Sequence, residues 1–370
     1  MRIALAVSLL ALVACAPRPS VEPAAAAPYE WTPIPAPPPP LTVPVSLFEV
    51  TYSTAGGELH RRVVDVATLA TIADVSLGRS QAFRAIAGTS SAFVDDPAGD
   101  VSVVNARGER VRFSGPVSPL PVGTASSSGL VYFGDRETIA LGDADGHVLR
   151  SFAAPQATPG VPVLPAYYKG PLRADSSAVA AFLVSDAATF VVVSGVANSA
   201  IVDLDSGGRL ELTGVAPVLD LVRDGDRAFL LGIDTTALDR PFVLAEVDLA
   251  TLDLVALRRF SVDRPARSLN GARLLATQRG DVYAYFAVPL VDTGVPMRSE
   301  LVGFDATLAP SRVPLPNDLG LDAVVGADGA VYVFGGVGAN VVSRVDPLTG
   351  ALSRYAVAPN GAYVRALAAR

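Results

Sequence analysis

Apolar positions along this chain fall in short runs separated by Gly, Asp and Pro, most clearly across residues 321–357. Residues 322–326 lead through an Ala327-Asp328-Gly329 turn into residues 330–336. Residues 341–346 follow, then a Pro347-Leu348-Thr349-Gly350 turn and residues 351–357. Apolar β-formers punctuated in this way, at hairpin spacing, predict strands joined by turns. The stretch therefore predicts one unit of four short strands. Its second strand, Val331-Tyr332-Val333-Phe334, is continuously apolar, as are residues 190–193 and 229–231. A strand has this pattern when both faces of its sheet are covered. The fourth-strand segments, 209–213 and 351–356, are more polar, as outer edges should be.

The unit recurs with drift from Ser46 onward. Its ruler is an acidic or amide residue closing the third strand. Asp65, Asp248 and Asp346 carry it most clearly, and Asn105, Asp143, Asp203 and Asp305 hold the same place. The six intervals from Asp65 to Asp346 average about 47 residues, within the span of ~40–50 for propeller blades. A sandwich would alternate in most strands, and a β-helix would need a shorter period. The expected fold is all-β: a single β-propeller of seven four-stranded blades. The first blade, from Phe48, lacks an inner strand. Residues 363–367 have no blade of their own and are expected to supply it, closing the ring.

The run Val331-Tyr332-Val333-Phe334-Gly335-Gly336, with the later Asp346-Pro347-Leu348-Thr349-Gly350, resembles a kelch repeat and also NHL-type blades. The double glycine follows the second strand of this one blade, and Leu352 stands near the place of the kelch tryptophan. The resemblance spans residues 46–370 and implies a propeller without assigning a functional family.

Ahead of the repeats, Met1-Arg2 precedes an apolar run over residues 3–13, interrupted by Ser8. The run is shorter than the ~20 residues of a membrane span and matches an export signal. Leu12-Val13-Ala14-Cys15 resembles the lipobox of bacterial lipoproteins. That resemblance implies that Cys15 is acylated and becomes the mature N-terminus. Several chains at ~0.8 kcal/mol per buried methylene would anchor the protein stably. Residues 1–14 are thus expected as a lipoprotein signal peptide and 15–45 as a lipidated N-terminus and Pro/Ala-rich tether, followed by the propeller at 46–370. The tether contains four consecutive prolines, 37–40, and the sole tryptophan, Trp31. At ~3.1 Å per residue it would reach roughly 90 Å. Ala16 after the cysteine, in place of the aspartate that retains many such lipoproteins at an inner membrane, implies an outer-membrane location where the cell has one.

Composition narrows the chemistry. A net charge of −7 with no Arg-dense stretch argues against nucleic acid. One cysteine and two histidines leave little material for metal or thiol chemistry, so no cofactor or metal is expected. His60 and His147 fall on outer strands or turns with no acid or nucleophile evident in their repeats, and are expected at the surface. Neither matches the channel-side histidine of the streptogramin-lyase-like propellers, and the recurring tryptophans of quinoprotein propellers are missing from the repeats. The segments Asp143-Ala144-Asp145-Gly146 and Asp203-Leu204-Asp205-Ser206-Gly207 resemble half calcium loops but lack the later bidentate carboxylate. Turn chemistry accounts for them.

Alternating strand direction places tight turns, such as Asp145-Gly146, Asp224-Gly225, Asp328-Gly329 and Thr349-Gly350, on one face. The long segments 153–174, 233–241 and 288–299 fall on the other. Binding concentrates in loops on a rigid scaffold, so Tyr167, Tyr168 and Lys169, the sole lysine, are the candidate contact residues. The first polar residues of the inner strands, Asp175, Asp220, Asn270 and Asp322, are expected to ring one channel mouth. Such carboxylates act as an acid-base pair or hold a divalent cation, as in propellers resembling the gluconolactonase family. The functional expectation is a monomeric, membrane-anchored envelope lipoprotein binding a protein or glycan without catalysis. The alternative is a hydrolase or lyase using the channel carboxylates.

Overall fold

The structure, a computed structural model, describes residues 44–79, 189–195, 197–239, 241–262, 271–277, 280–288, 298–313, 315–316, 319–335 and 340–370. Between 83 and 184 it describes the strands and a few flanking positions. All the regular elements among them are β-strands. Sheet 1 holds β1 (Leu47–Ser53), β2 (Glu58–Asp65) and β3 (Thr71–Arg79). Sheet 2 holds β4 (Phe83–Ala85), β5 (Ala92–Asp95), β6 (Val101–Val104) and β7 (Arg110–Arg112). Sheet 3 holds β8 (Val122–Ala125), β9 (Val131–Gly134), β10 (Thr138–Gly142) and β11 (Val148–Ala153). Sheet 4 holds β12 (Ala178–Val184), β13 (Thr189–Ser194), β14 (Asn198–Asp203) and β15 (Arg209–Thr213). Sheet 5 holds β16 (Val215–Asp224), β17 (Arg227–Asp234), β18 (Phe242–Asp248) and β19 (Asp253–Phe260). Sheet 6 holds β20 (Gly271–Ala276), β21 (Val282–Val288), β22 (Arg298–Phe304) and β23 (Pro310–Val313). Sheet 7 holds β24 (Asp322–Val325), β25 (Val331–Phe334), β26 (Val341–Val345) and β27 (Leu352–Ala356). The last strand, β28 (Tyr363–Ala369), leaves sheet 7 and pairs antiparallel with β1, from Phe48 opposite Ala369 to Ser53 opposite Tyr363. Among the described residues this makes seven antiparallel four-stranded sheets, the first in the order β28-β1-β2-β3.

The apolar pattern explains how the sheets stack. The second strands β13 and β25 are buried along their whole length, while the fourth strands β3, β15 and β27 are mostly exposed. Each described core cluster bridges two consecutive sheets. Phe242, Phe260 and Phe286 join sheets 5 and 6, and Tyr285, Leu301 and Val333 join 6 and 7. Phe48, Tyr332 and Val364 join sheet 7 to sheet 1, so the last sheet packs on the first. At roughly 25 cal/mol per Å², burial between neighbours is the main stabilising term. First strands of successive sheets also touch, β12 with β16, β16 with β20, β20 with β24, and β24 with β28.

Like ends of the sheets meet. At one rim the Thr307 carbonyl of sheet 6 accepts from the side chain of Arg258, which stands further along β19 of sheet 5, at 3.3 Å. There Ala327 N also donates to the Ala369 carbonyl at 3.2 Å. This turn rim carries the recurring aspartates, and their side chains cap the turn that follows. Asp65 accepts from Thr68 N and Oγ1, Asp248 from Ala250 N and Thr251 N, and Asp346 from Leu348 N and Thr349 N. Asp305 accepts from Thr307 and Ala309. Four residues after Asp203 and Asp346 the backbone turns left-handed at Gly207 and Gly350 (φ 75° and 72°). Leucines occupy the corresponding place at Leu69 and Leu252, and at Leu308 after Asp305, with φ of 57°, 55° and 58°. A leucine is strained there.

The opposite, loop rim carries the connections between second and third strands and between sheets. Thr235 N donates to the Gly214 carbonyl at 2.8 Å and Thr235 Oγ1 to the Ala197 carbonyl at 2.9 Å, tying sheet 5 to sheet 4. Deeper at the same seam, Val218 N donates to Ser194 Oγ at 3.0 Å and Ser199 Oγ donates to the Val215 carbonyl at 2.7 Å. The pairing of β16 slips in register here, and the two buried serines satisfy backbone groups that the ladder leaves open.

Candidate functional site

The first strands bring two of the predicted channel residues together through a third that the sequence pattern misses. Arg273 on β20 donates from Nε to Asp322 Oδ1 at 2.6 Å and from its amino group to Asp322 Oδ2 at 3.1 Å. Asp220 on β16 accepts from Leu274 N at 2.8 Å. Asp220, Arg273 and Asp322 thus link sheets 5, 6 and 7 in series. The side chains of Arg273 and Asp322 keep 39% and 22% of their surface open to solvent. Arg273 is nonetheless deeply surrounded by protein, the combination expected of a channel wall. Burial pushes the Asp220 carboxyl above the usual range, against the charge of Arg273 and the amides of Leu274 and Leu221, and Asp322 adds to the rise. Burial works against the charge on Arg273 too, yet Asp322 and then Asp220 outweigh it and hold the guanidinium protonated. Behind them Tyr285 donates to the Gly320 carbonyl at 2.7 Å, and burial raises its hydroxyl above the ordinary phenol range. Chemically the channel offers a neutralised arginine with one excess carboxylate.

Asp220 lies inside β16 and not at its mouth-side end, whereas Asp322 opens β24. Asp175 and Asn270 lie outside the described residues, as do Cys15, Tyr167, Tyr168 and Lys169. Among the described residues no three acidic, histidine or cysteine side chains converge with metal-binding geometry.

Both histidines have an acid within their repeat, contrary to the sequence expectation. His60 stacks on Tyr52 with ring centroids 5.0 Å apart and places Nδ1 3.3 Å from Asp74 Oδ1. Tyr52 and Arg62 donate to the same carboxylate, at 3.0 and 2.8 Å. Burial alone would raise Asp74, but the bonds from Arg62 and Tyr52 and the charges of Arg62 and His60 hold it below the usual range. Asp74 belongs to β3, an outer strand with little apolar burial, so this cluster clasps the strand to the sheet. The signal that could have found it is period two: residues 60 and 62 share a face of β2. Their partners on β3 follow only from the register, Arg62 opposite Asp74. His147 pairs with Asp143 at 3.0 Å across an exposed turn.

On the loop rim, the described part of segment 233–241 is anchored by Asp234. This buried carboxylate accepts from Thr236 N at 2.7 Å and Oγ1 at 2.6 Å, and from Arg259 Nε. Burial pushes it up, but Thr236 and Arg259 prevail and bring it down to about 2. The anchored loop presents Leu238 fully to solvent, at 105% of its reference area. Leu321 and Tyr363, at the starts of first strands, are 41% and 49% exposed on this rim.

Four-stranded sheets packed face to face, with their first strands side by side, define a β-propeller. No family model matches the chain, and no curated protein matches it. Among solved structures it is similar to hydrazine synthase from Kuenenia stuttgartiensis, at 13% identity and a TM-score of 0.47 over 87% of this chain and 98% of that one. It is similar to BamB from Moraxella catarrhalis, at 13% identity and a TM-score of 0.43 over 85% of this chain and 88% of that one. It is also similar to Hsv2 from Kluyvelomyces marxianus, at 11% identity and a TM-score of 0.47 over 85% and 99% of the two chains.

Proposed function

We propose that this chain is a lipid-anchored envelope protein whose propeller binds a protein or glycan through the loop rim, without catalysis. In this reading residues 1–14 direct export, Cys15 is acylated, and residues 15–45 tether the domain. The propeller at 46–370 comprises seven blades, closed into a ring by β28. The observation that carries the reading is the difference between the rims. Turn-rim aspartates spend their hydrogen bonds on their own turns, and that rim exposes single leucines such as Leu69 and Leu348. The loop rim instead presents Leu238 wholly to solvent on an anchored loop and exposes Leu321 and Tyr363 at the starts of touching first strands. Exposed apolar residues rimmed by polar ones mark interaction surfaces. In this reading Tyr167, Tyr168 and Lys169 of segment 153–174 are further contact residues. The catalytic alternative draws on Asp220, a channel carboxyl with a raised affinity for its proton. Arg273 is already tied up by Asp322, and its charge acts on Asp220, which favours binding over hydrolysis.

A photo-crosslinking residue introduced at 238 or 321 in the full chain, in intact cells, is expected to capture an envelope component, and one at 348 on the turn rim is not. Equal capture from both rims, or none from the loop rim, sinks the reading. Cys15→Ser is expected to release the protein from membranes. A mutant that still partitions with detergent, beside a wild type without acyl mass, removes the anchor. Tyr167→Ala with Tyr168→Ala is expected to weaken capture and leave folding unchanged.

A further inference from the structure

We propose that Arg365, Tyr363 and Leu321 form the docking centre for an extended protein segment that carries an acidic side chain beside an apolar one. This deepens, and rests on, the assignment of the loop rim as the binding surface. Tyr363 begins β28 and Leu321 immediately precedes β24, two first strands that touch each other. Gly335 lies between them. Its φ is 78°, and a Cβ added there would lie 3.5 Å from the Val364 carbonyl and 3.9 Å from Leu321 Cβ. Leu321 and the backbone beside Tyr363 thus flank the same glycine, and both side chains are partly exposed.

Arg365 is aimed by two independent devices. Along the β28–β1 ladder Thr51 faces Ala366 and Tyr52 faces Val364, so Arg365 is the extra residue of a bulge. Bulges re-aim side chains and are frequent next to sites. Its Nε donates to Ser53 Oγ at 2.9 Å, and its guanidinium carbon lies 5.5 Å from the Tyr363 ring centroid. Both contacts hold the guanidinium through Nε and the ring, and the residue is exposed.

Charge then selects the partner. Other arginines are matched: Arg61 and Arg370 share Glu49, Arg62 pairs with Asp74, Arg273 with Asp322 and Arg344 with Asp328. Arg365 is exposed and has no carboxylate partner among the described residues. A fixed guanidinium fork takes a carboxylate bidentately, and Tyr and Arg are the residue types that anchor protein interfaces. Leu321 offers only aliphatic surface, of little use to a polyhydroxylated sugar, and Arg365 covers one face of the ring on which a sugar would stack. A protein segment fits both parts of the patch.

The test uses the full-length protein and two fluorescent dodecapeptides, one alternating Asp with Leu and one with Lys for every Asp, followed by anisotropy. The acidic peptide is expected to bind at least about 10-fold tighter, a gap of ~1.4 kcal/mol, and to weaken in high salt. Arg365→Glu should abolish the preference and Arg365→Lys keep part of it. Tyr363→Ser with Leu321→Ser should weaken binding by about 10-fold or more. Equal binding of the two peptides, no binding of the acidic one at millimolar concentration, or binding unchanged by Arg365→Glu overturns the proposal. Arg365→Gln replaces the charge reversal should that variant melt early. In cells, crosslinks from position 321 to Asp- or Glu-bearing segments support it. Crosslinks to basic segments or to glycan refute it while leaving the loop rim as the binding surface, and an absence of crosslinks from both 238 and 321 refutes both.

Discussion

The two rims are built from the same strands and differ in what their polar groups do. On the turn rim, one solution recurs: an aspartate at the end of a third strand accepts the amides of the next few residues and closes a tight turn. Among the described residues the loop rim shows no common solution. Sheet 5 uses Asp234 with Thr236 and Arg259, the seam between sheets 4 and 5 uses paired serines, and sheet 1 uses a bulge at Arg365. Repetition on one side marks residues chosen for folding. Variety on the other leaves room for a surface to specialise. Turn-rim substitutions should therefore act on stability, and loop-rim substitutions on binding.

The largest effect expected is at the seam where chain ends meet. Removing residues 361–370 strips β28 from β1 and exposes the core around Phe48 and Tyr332. Each buried Val or Leu lost is worth roughly 1.5–3 kcal/mol, and the open edge invites pairing with other chains. The truncated protein should aggregate or melt as a whole in calorimetry and size-exclusion chromatography. An unchanged melting temperature with a monomeric profile breaks the assignment of β28.

Next comes Asp328→Ala on the turn rim. Asp328 accepts from Tyr332 OH at 3.1 Å and from Arg344 Nε at 2.8 Å. Its loss leaves a buried phenol and a half-buried guanidinium without their acceptor, at about 2–3 kcal/mol. Chemical denaturation should show that loss with peptide binding intact. Weakened binding in a folded variant would contradict the division between rims.

In the channel, the two aspartates around Arg273 should respond with opposite signs. Asp322→Asn removes the bidentate partner and should cost about 1–3 kcal/mol. Asp220→Asn removes a carboxylate whose folded pKa is raised, so at neutral pH it should be neutral to slightly stabilising. The native state holds that proton more tightly than the unfolded chain does. Wild type should therefore gain on the Asp220→Asn variant as pH falls through the raised value. Destabilisation by both changes alike would mean that Asp220 is a true partner of Arg273.

Acid acts in the opposite sense on the anchors. Asp234, held at about 2, contributes stability above the ordinary aspartate range that disappears as pH falls from about 4 to 2. Asp65, lowered by its bonds from Thr68, and Asp305, lowered by Thr307 and Ala309 against the effect of burial, follow the same sign. Asp234→Asn should flatten the acid limb of a pH–stability curve by at most about 2 kcal/mol.

The smallest effect separates backbone strain from packing at one turn position. Leu69 is exposed and left-handed, so Leu69→Gly should gain a few tenths to about 1 kcal/mol. Leu308 has the same backbone but a buried side chain, and Leu308→Gly should cost about 2 kcal/mol or more. Equal signs for the pair would show that the left-handed strain is not what the turn position measures.

Much of the fold is legible in residue order. The third-strand aspartates fall at or directly after the ends of β2, β10, β14, β18, β22 and β26, because a turn needs its cap at a fixed distance whatever packs around it. The site is legible only in outline. Asp220 and Asp322 stand out as polar residues of first strands, whereas Arg273, itself on a first strand, does not. Nothing in spacing says that residues 220, 273 and 322 meet. His60 reads as an isolated surface residue because Asp74 faces it only through strand register.

Residue order alone sets the repeat, the strands, the turns and which strands are covered on both faces. Each of these follows from local backbone geometry and from the period of apolar positions. Packing in three dimensions sets which side chains share the channel, how β28 returns to β1, and where the bulge aims Arg365. Those outcomes depend on contacts between residues from about 50 to more than 300 positions apart in the chain. Their energies come from desolvation and charge pairing, which exist only once the sheets have packed.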